Sequence, residues 1–310
     1  MKTILDIVAG ISIFCMSSMA TGCDKDDTQP PRHFEASITV DGLQRSYIVN
    51  LPPSYYSDTT SRYPLVIALH GTGGNAAQFE KDYGFSAKAD QSGFVAVYPN
   101  GVPSDGILRL RTWNAGTCCD YAMRTGIDDV SFISQVIDKM TGGYRIDSKR
   151  VYVTGMSNGG MMSYRLAAEL SGKIAAIAPV SASMVYTPAA QQPNVVPVLE
   201  LHSVLDRIVP YYGGANDMGY YFPPIDSVLN VWALRNNCLP DATVVTDDSR
   251  YKHIKWTNAD GDVLVEHYVT QDGGHAWPGG KQVRARADVP SQVIDANDLI
   301  WTFFQKFKLE

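Results

Sequence analysis

Neither a basic stripe nor a metal-type cysteine spacing occurs in this sequence. Its 26 Lys and Arg are scattered among 32 Asp and Glu, for a net charge of -6, so the clustered positive charge that grips nucleic acid is missing. The five cysteines, at 15, 23, 118, 119 and 238, fit none of the Cys/His spacings of a zinc site. One glycine-rich turn, "HGTGG" (70–74), lacks a following phosphate-binding lysine, and no G-x-G-x-x-G occurs, so no nucleotide or dinucleotide is implied. No cofactor and no metal are expected. The apolar stretch from Ile7 to Met16 is too short to span a bilayer. Linker-like breaks and internal repeats are also missing between residues 36 and 310, and with 45 % hydrophobic residues a single domain with one large core is the simplest arrangement.

The N-terminus has a different character. Lys2, the apolar stretch after it and the small residues of "MATGC" have the build of a secretory signal. The order Ala20-Thr21-Gly22-Cys23 resembles a bacterial lipobox, with alanine where leucine is most frequent. Residues 1–22 are therefore expected to be removed, Cys23 to carry lipid, and 23–35, with its charged, proline-containing "DKDDTQPPRH", to form a flexible tether. The expected location is the outer membrane or cell surface, with secretion or the periplasm as the alternative. Export permits disulfides. With Cys15 cleaved away and Cys23 acylated, the expected bridge joins Cys238 to Cys118 or Cys119, and a vicinal 118–119 bond is the lesser alternative.

Beyond the tether, "SITVDGLQRSYIVNLP" alternates polar and apolar residues around Asp41-Gly42, a hairpin signal. Continuous apolar runs follow in "YPLVIALHG", "GFVAVYPNG", "RVYVTGMS", "IAAIAPVSA" and "VVPVLELHS", as expected of strands covered on both faces. Helical stretches separate them: 76–93 as one helical stretch, "DDVSFISQVIDKMTGGY", "MMSYRLAAEL" and "IDSVLNVWALRNN". A strand pair around "YKHIKWTN" and "VLVEHYVTQ" and a last helix in "ANDLIWTFFQKF" complete the order. Strands alternating with helices predict an α/β fold, a doubly wound, mostly parallel sheet led by an antiparallel hairpin.

Within that order, "VYVTGMSNGG" (151–160) is a G-x-S-x-G at a strand-to-helix junction, a pattern that turns the chain sharply and exposes the serine oxygen. Ser157 is the candidate nucleophile and is expected to be exposed. A hydroxyl needs a base, held in turn by a carboxylate, and in α/β-hydrolases the chain order is serine, acid, histidine. Of the histidines after Ser157, His275 lies in the Gly-rich loop "QDGGHAWPGG", whereas His253 and His267 sit in strand-like alternation and His202 is placed to shape a turn. Asp206 follows the strand "VLELH"; Asp217 and Asp226 are farther from any strand end. Asp128 and Asp129 precede the serine and suit a helix N-terminus. Backbone N–H groups of Asn158 and Thr72 are the expected oxyanion donors. Trp113, Tyr211 and Trp277, in aromatic-rich loops, are candidates for stacking on substrate rings.

The segments "PLVIALHGTGG", "TWNAGTCC", "GIDDVSFI", "RVYVTGMSNGGMMSYRLA", "LHSVLDRIVPYYGG" and "GGHAWPGG" together resemble the polyhydroxybutyrate depolymerase-like (LpqC type) esterases of the α/β-hydrolase superfamily. These shade into the feruloyl and acetylxylan esterases of carbohydrate esterase family 1. The resemblance implies Ser157, Asp206 and His275 as a triad and a secreted serine esterase. Where the family often reads H-G-T-x-D, this chain has His202-Ser203-Val204-Leu205-Asp206. The expected substrates are feruloyl or acetyl esters on plant cell-wall polysaccharide, with polyhydroxybutyrate oligomers as the alternative. A glycan-binding surface lipoprotein is the non-enzymatic one.

Overall fold

In the computed structural model, residues 29–189 and 193–310 are described. Two antiparallel strands come first, β1 (His33–Val40) and β2 (Leu43–Asn50), joined at Asp41-Gly42, both at positive φ. Next come β3 (Tyr63–Leu69), α1 (Ala76–Tyr83), α2 (Phe85–Ser92), β4 (Val95–Pro99), the short β5 (Val102–Pro103) and β6 (Arg111–Thr112), α3 (Asp120–Arg124) and α4 (Asp129–Gly143). The chain continues through β7 (Ile146–Met156), α5 (Asn158–Glu169), β8 (Ala176–Val180), β9 (Val198–Ser203), the short β10 (Gly214–Ala215) and β11 (Tyr221–Phe222), and α6 (Ile225–Arg235). It ends with β12 (Thr243–Asp247), β13 (Tyr251–Thr257), β14 (Val263–Thr270) and α7 (Ala296–Phe304).

Ten strands form the main sheet in the order β1-β2-β4-β3-β7-β8-β9-β14-β13-β12. The six from β4 to β14 run parallel, and antiparallel strands flank them on both sides. Alternation along the parallel strands divides the core in two. Leu65, Ile67, Val151, Val153 and Ile177 pack beneath α4, α5 and α6, while Val66, Ala68, Tyr152, Ala176 and Leu201 pack beneath α1, α2 and α7. The fold is therefore the doubly wound α/β-hydrolase sheet expected from the pattern.

Three local differences have physical causes. The helical stretch 76–93 is two helices, because Gly84 takes a left-handed conformation (φ 62°), ending α1 and starting α2. Strand β12, largely exposed at the sheet edge, has too little buried alternation to be read from composition. The tether ends earlier than residue 35: His33, Phe34 and Glu35 pair with Asn50, Val49 and Ile48, and the His33 ring meets Glu80 at 2.9 Å. Signal and lipidation residues, Cys23 included, lie outside the described residues.

One buried ion pair ties the hairpin to the helical layer. Arg45 of β2 reaches Asp129 at 2.6 Å, with side chains 4 % and 0 % exposed, and its guanidinium lies 4.0 Å from the centre of the Phe132 ring. The same carboxylate accepts the Asn114 N–H at 2.8 Å. Asp129 thus does more than open α4, where Asp128 makes the cap by accepting from Ser131 N–H. Removing one partner of such a pair strands a buried charge. Arg45→Ala is expected to lower stability by about 3–5 kcal/mol, read as a lower urea midpoint with an unchanged slope.

Candidate active site

The junction of β7 and α5 sets Ser157 in a conformation that few non-glycine residues adopt, φ 58° and ψ -122°. Close packing holds it there. A Cβ on Gly155 would run into the backbone of Gly159, and one on Gly159 into the carbonyl oxygens of Leu69 and His70, so both positions need glycine for the elbow to pack against β3. Ser157 N–H donates to Val180 O at 2.8 Å, and Ser157 O accepts from Met161 N–H at 2.9 Å. The expected exposure is not found: Ser157 is 8 % exposed, because it lines a cavity instead of facing bulk solvent.

Around the elbow, polar groups fasten the neighbouring loops. Asn158 Oδ1 accepts from Trp113 N–H at 2.7 Å and its Nδ2 donates to Trp113 O at 3.1 Å. The Trp113 indole N–H donates to His70 O at 2.8 Å. The His70 ring bonds both ways, Nε2 accepting from Gly101 N–H at 3.0 Å and Nδ1–H donating to Gly71 O at 2.8 Å. Burial keeps it neutral, with its pKa lowered to about 4. This lattice fixes the 70–74 turn, which carries Thr72, against the first turn of α5, whose Asn158 N–H has no helical partner by geometry. The side-chain roles of His70 and Asn158 were not read from the sequence, where "HG" and "SNGG" signal only turns.

Asp206 and His275 meet across the ends of adjacent strands. Their loops follow β9 and β14, which pair in parallel, and His275 Nδ1 lies 2.7 Å from Asp206 Oδ2. The other carboxylate oxygen accepts the N–H groups of Ile208 and Val209 at 2.9 and 2.8 Å. Burial works against the charged form of Asp206, but the His275 charge and hydrogen bond outweigh it and the pKa is lowered. His275 is held from behind by its backbone N–H donating to Asp288 at 2.7 Å. In the altered turn before Asp206, Ser203 Oγ accepts from Leu205 N–H and donates to Asp272 O. His253 pairs with Glu266 inside the sheet. Asp217 lies in the turn after β10, and Asp226 in the first turn of α6, where it accepts from Tyr211 OH.

Ser157 and His275 line one cavity of about 550 Å³, together with Thr72. The three aromatic candidates are absent from its wall, which corrects the sequence expectation. Trp113 is fully buried under His70, and Tyr211, 7 % exposed, stacks on His267. Trp277 packs on Tyr83 and donates to Asn297. Their polar edges are already satisfied by protein groups. Tyr83, Tyr220 and Phe222 supply aromatic surface instead, with Met161, Met218 and Ile208. The cysteine expectation is corrected as well: Cys118 bonds to Cys119 and both line the cavity, whereas Cys238 is free. Cys238 is held elsewhere, just beyond α6, in a bridge to Asn258. Among the described residues, no group of three or more His, Cys, Asp or Glu is arranged to hold a metal.

A family model described as Esterase PHB depolymerase matches residues 45–228, more than half of the chain. The chain belongs to this family. As a member it is a carboxylic-ester hydrolase, which displaces the non-enzymatic alternative. The bifunctional acetylxylan esterase/xylanase XynS20E of Neocallimastix patriciarum is 30 % identical over 242 residues, covering 76 % of this esterase and 32 % of that protein. Feruloyl esterase B of Piromyces equi is 28 % identical over 245 residues, 76 % of this chain and 44 % of its own. The esterase thus spans about a third of one relative and under half of the other. Acetyl xylan esterase from Aspergillus awamori shares the fold, with a TM-score of 0.60 and 17 % identity, covering 87 % of this chain and 99 % of that one.

Relief of the elbow conformation gives one expectation. Ser157→Gly should raise stability by about 1 kcal/mol, whereas Ser157→Ala, which keeps the Cβ, should leave the thermal midpoint nearly unchanged. A second follows from the buried rings. Burial lowers His70 and His267 from the ordinary 6.5 to about 4, so the unfolded chain binds protons first on acidification. Their contribution is complete above 6.5 and is lost as pH falls through about 4. Denaturant titrations should show roughly 2–3 kcal/mol lost at His70 between neutral pH and about pH 4.5, with His267 acting in the same direction, and His70→Gln should flatten that slope.

Proposed function

We propose that this esterase works through an acyl-enzyme on Ser157, with His275 as base and acid and Asp206 as its orienting carboxylate. The observation that carries the reading is a serine at a strained elbow sharing a cavity with a histidine whose far nitrogen faces a buried carboxylate. Because the Asp206 carboxylate accepts from Nδ1–H, the lone pair of His275 rests on Nε2, the nitrogen free to take the serine proton. Serine Oγ then attacks the ester carbonyl. The new oxyanion is met by the N–H groups of Thr72 and Asn158, the latter at the positive end of α5. His275 returns the proton to the leaving alcohol, and a water, activated in the same way, releases the acid.

Cavity lining supports an aromatic acyl group. A volume of about 550 Å³ walled by Tyr83, Tyr220, Phe222, Met161, Met218 and the paired Cys118 and Cys119 far exceeds what an acetyl group fills, and sulfur-bearing side chains pack well on aromatic rings. The substrate class we infer is the hydroxycinnamoyl ester of a plant cell-wall polysaccharide, ahead of its acetyl ester. The relatives' names, acetylxylan esterase and feruloyl esterase, point the same way. One observation favours hydroxybutyrate oligomers as the second reading: Arg284 lines the cavity and suits a terminal carboxylate. Export on a lipidated Cys23, with the segment after it as spacer, completes the proposal and rests on the N-terminal sequence alone.

Release of ferulate and acetate from arabinoxylan, beside 3-hydroxybutyrate from its oligomers, tests this reading. Ferulate release should dominate and fall at least about 10³-fold in Ser157→Ala. Release of hydroxybutyrate alone would shift the assignment to the polyester, and release that survives the serine change would remove Ser157 from the chemistry.

A further inference from the structure

Behind Asp206 lies a second pair of ionisable side chains that the ester chemistry does not use directly. Glu200 and His202 alternate on one face of β9, a central strand, and both side chains are fully buried. His202 Nδ1 is 2.8 Å from Glu200 Oε1. On its other edge, Nε2 is 2.9 Å from Val209 O and 3.5 Å from Asp206 Oδ2, the same oxygen that meets His275. Four ionisable groups therefore stand in a row: Glu200, His202, Asp206, His275.

Counting protons along this row defines its charge. A carbonyl can only accept, so His202 Nε2 carries a hydrogen for Val209 O. The 2.8 Å contact on Nδ1 needs one more proton between imidazole and carboxyl. The Asp206 carboxylate, 3.5 Å away on the other edge, favours placing that proton on the ring. His202 is accordingly raised above the ordinary histidine value: burial opposes this, and the Glu200 hydrogen bond with the charges of Asp206 and Glu200 outweighs it. Burial also raises Glu200, to about 7, against the pull of His202. The other titratable groups facing the pair are Tyr164 from α5, whose hydroxyl donates to Glu200 Oε2 at 3.4 Å, and His267 from β14, whose Nδ1 reaches Glu200 O at 3.1 Å. Tyr211 lies 5.9 Å from the His202 ring, and Asp226 of α6 accepts its hydroxyl.

We propose that His202 is a positioning residue for His275: held as an imidazolium by Glu200, it pins Asp206 from behind and restrains the proton affinity of the His275 ring. The proposal rests on the reading of His275 and Asp206 as base and orienting acid. A positive ring on the far side of Asp206 offsets part of the carboxylate's attraction for a protonated His275. Removing that charge makes His275 hold a proton more readily, so the acidic limb of the rate profile moves to higher pH.

The test uses the protein labelled with 15N-histidine, with ring resonances assigned through His275→Gln and His202→Gln. In the unmodified protein at neutral pH, both ring nitrogens of His202 should be protonated; a bare Nδ1 would overturn the proposal without any variant. In Glu200→Gln and His202→Gln, the His275 titration midpoint should rise by about 0.5 pH unit or more. The double variant should show the same rise as either single one, because each abolishes the same imidazolium. An unmoved midpoint, or two additive shifts, would count against it. These ring signals need no substrate, so they are read independently of ester hydrolysis. With p-nitrophenyl acetate, the acidic limb of kcat/KM should move with the midpoint while the plateau changes far less.

Discussion

Everything in the candidate site hangs on the backbone at Ser157. A β-strand that ends in a positive-φ serine and restarts at once as a helix must cross the top of the sheet in very little space. Gly155 and Gly159 make that crossing possible by letting α5 press against the carbonyls that close β3. The strain at one residue is offset by the burial of a whole helix beneath it, since Met161, Met162, Tyr164 and Leu166 all enter the core. The backbone strain and the place of the serine on the cavity wall therefore have one origin. The tight packing that holds the serine in place also brings the N-terminus of α5 beside the cavity.

Polar side chains then carry that rigidity outward. Asn158 clasps both backbone groups of Trp113, Trp113 reaches His70, and His70 bridges to Gly101 and Gly71. Asp129 holds the next residue, Asn114, while pairing with Arg45 on the hairpin. Each donor in this lattice is satisfied, and all but the half-buried Asn114 come from buried residues, so its members stabilise one geometry and penalise alternatives. The turn at 70–74 and the cavity wall at 118–120 are thereby referred to the same fixed point.

How far the sequence could be read follows from the range of the forces involved. Buried strands announce themselves through continuous apolar runs, and the positions of Ser157, Asp206 and His275 are marked by local glycine and strand-end patterns. Their order along the chain was legible for that reason. Which way Trp113, Tyr211 and Trp277 point was not, because an aromatic ring looks alike in composition whether it faces a core or a cavity. The cysteines were misread on similar grounds: nothing in the spacing of Cys118, Cys119 and Cys238 reports that α6 places the third one beside Asn258. His202 is read from the sequence only as shaping the turn after its strand; Glu200 and the pairing of the two were hidden in a run of buried residues where a charge would be expected only with a partner.

Asp206 carries one more implication. One of its oxygens faces His275, while the other gathers the N–H groups of Ile208 and Val209, two residues that line the cavity. A single carboxylate thus fixes both the His275 ring and the backbone of this part of the cavity wall. A substitution at this position would disturb both. The wall can be reshaped without touching Asp206 at the strand carrying Phe222 or at the turn bearing the paired sulfurs.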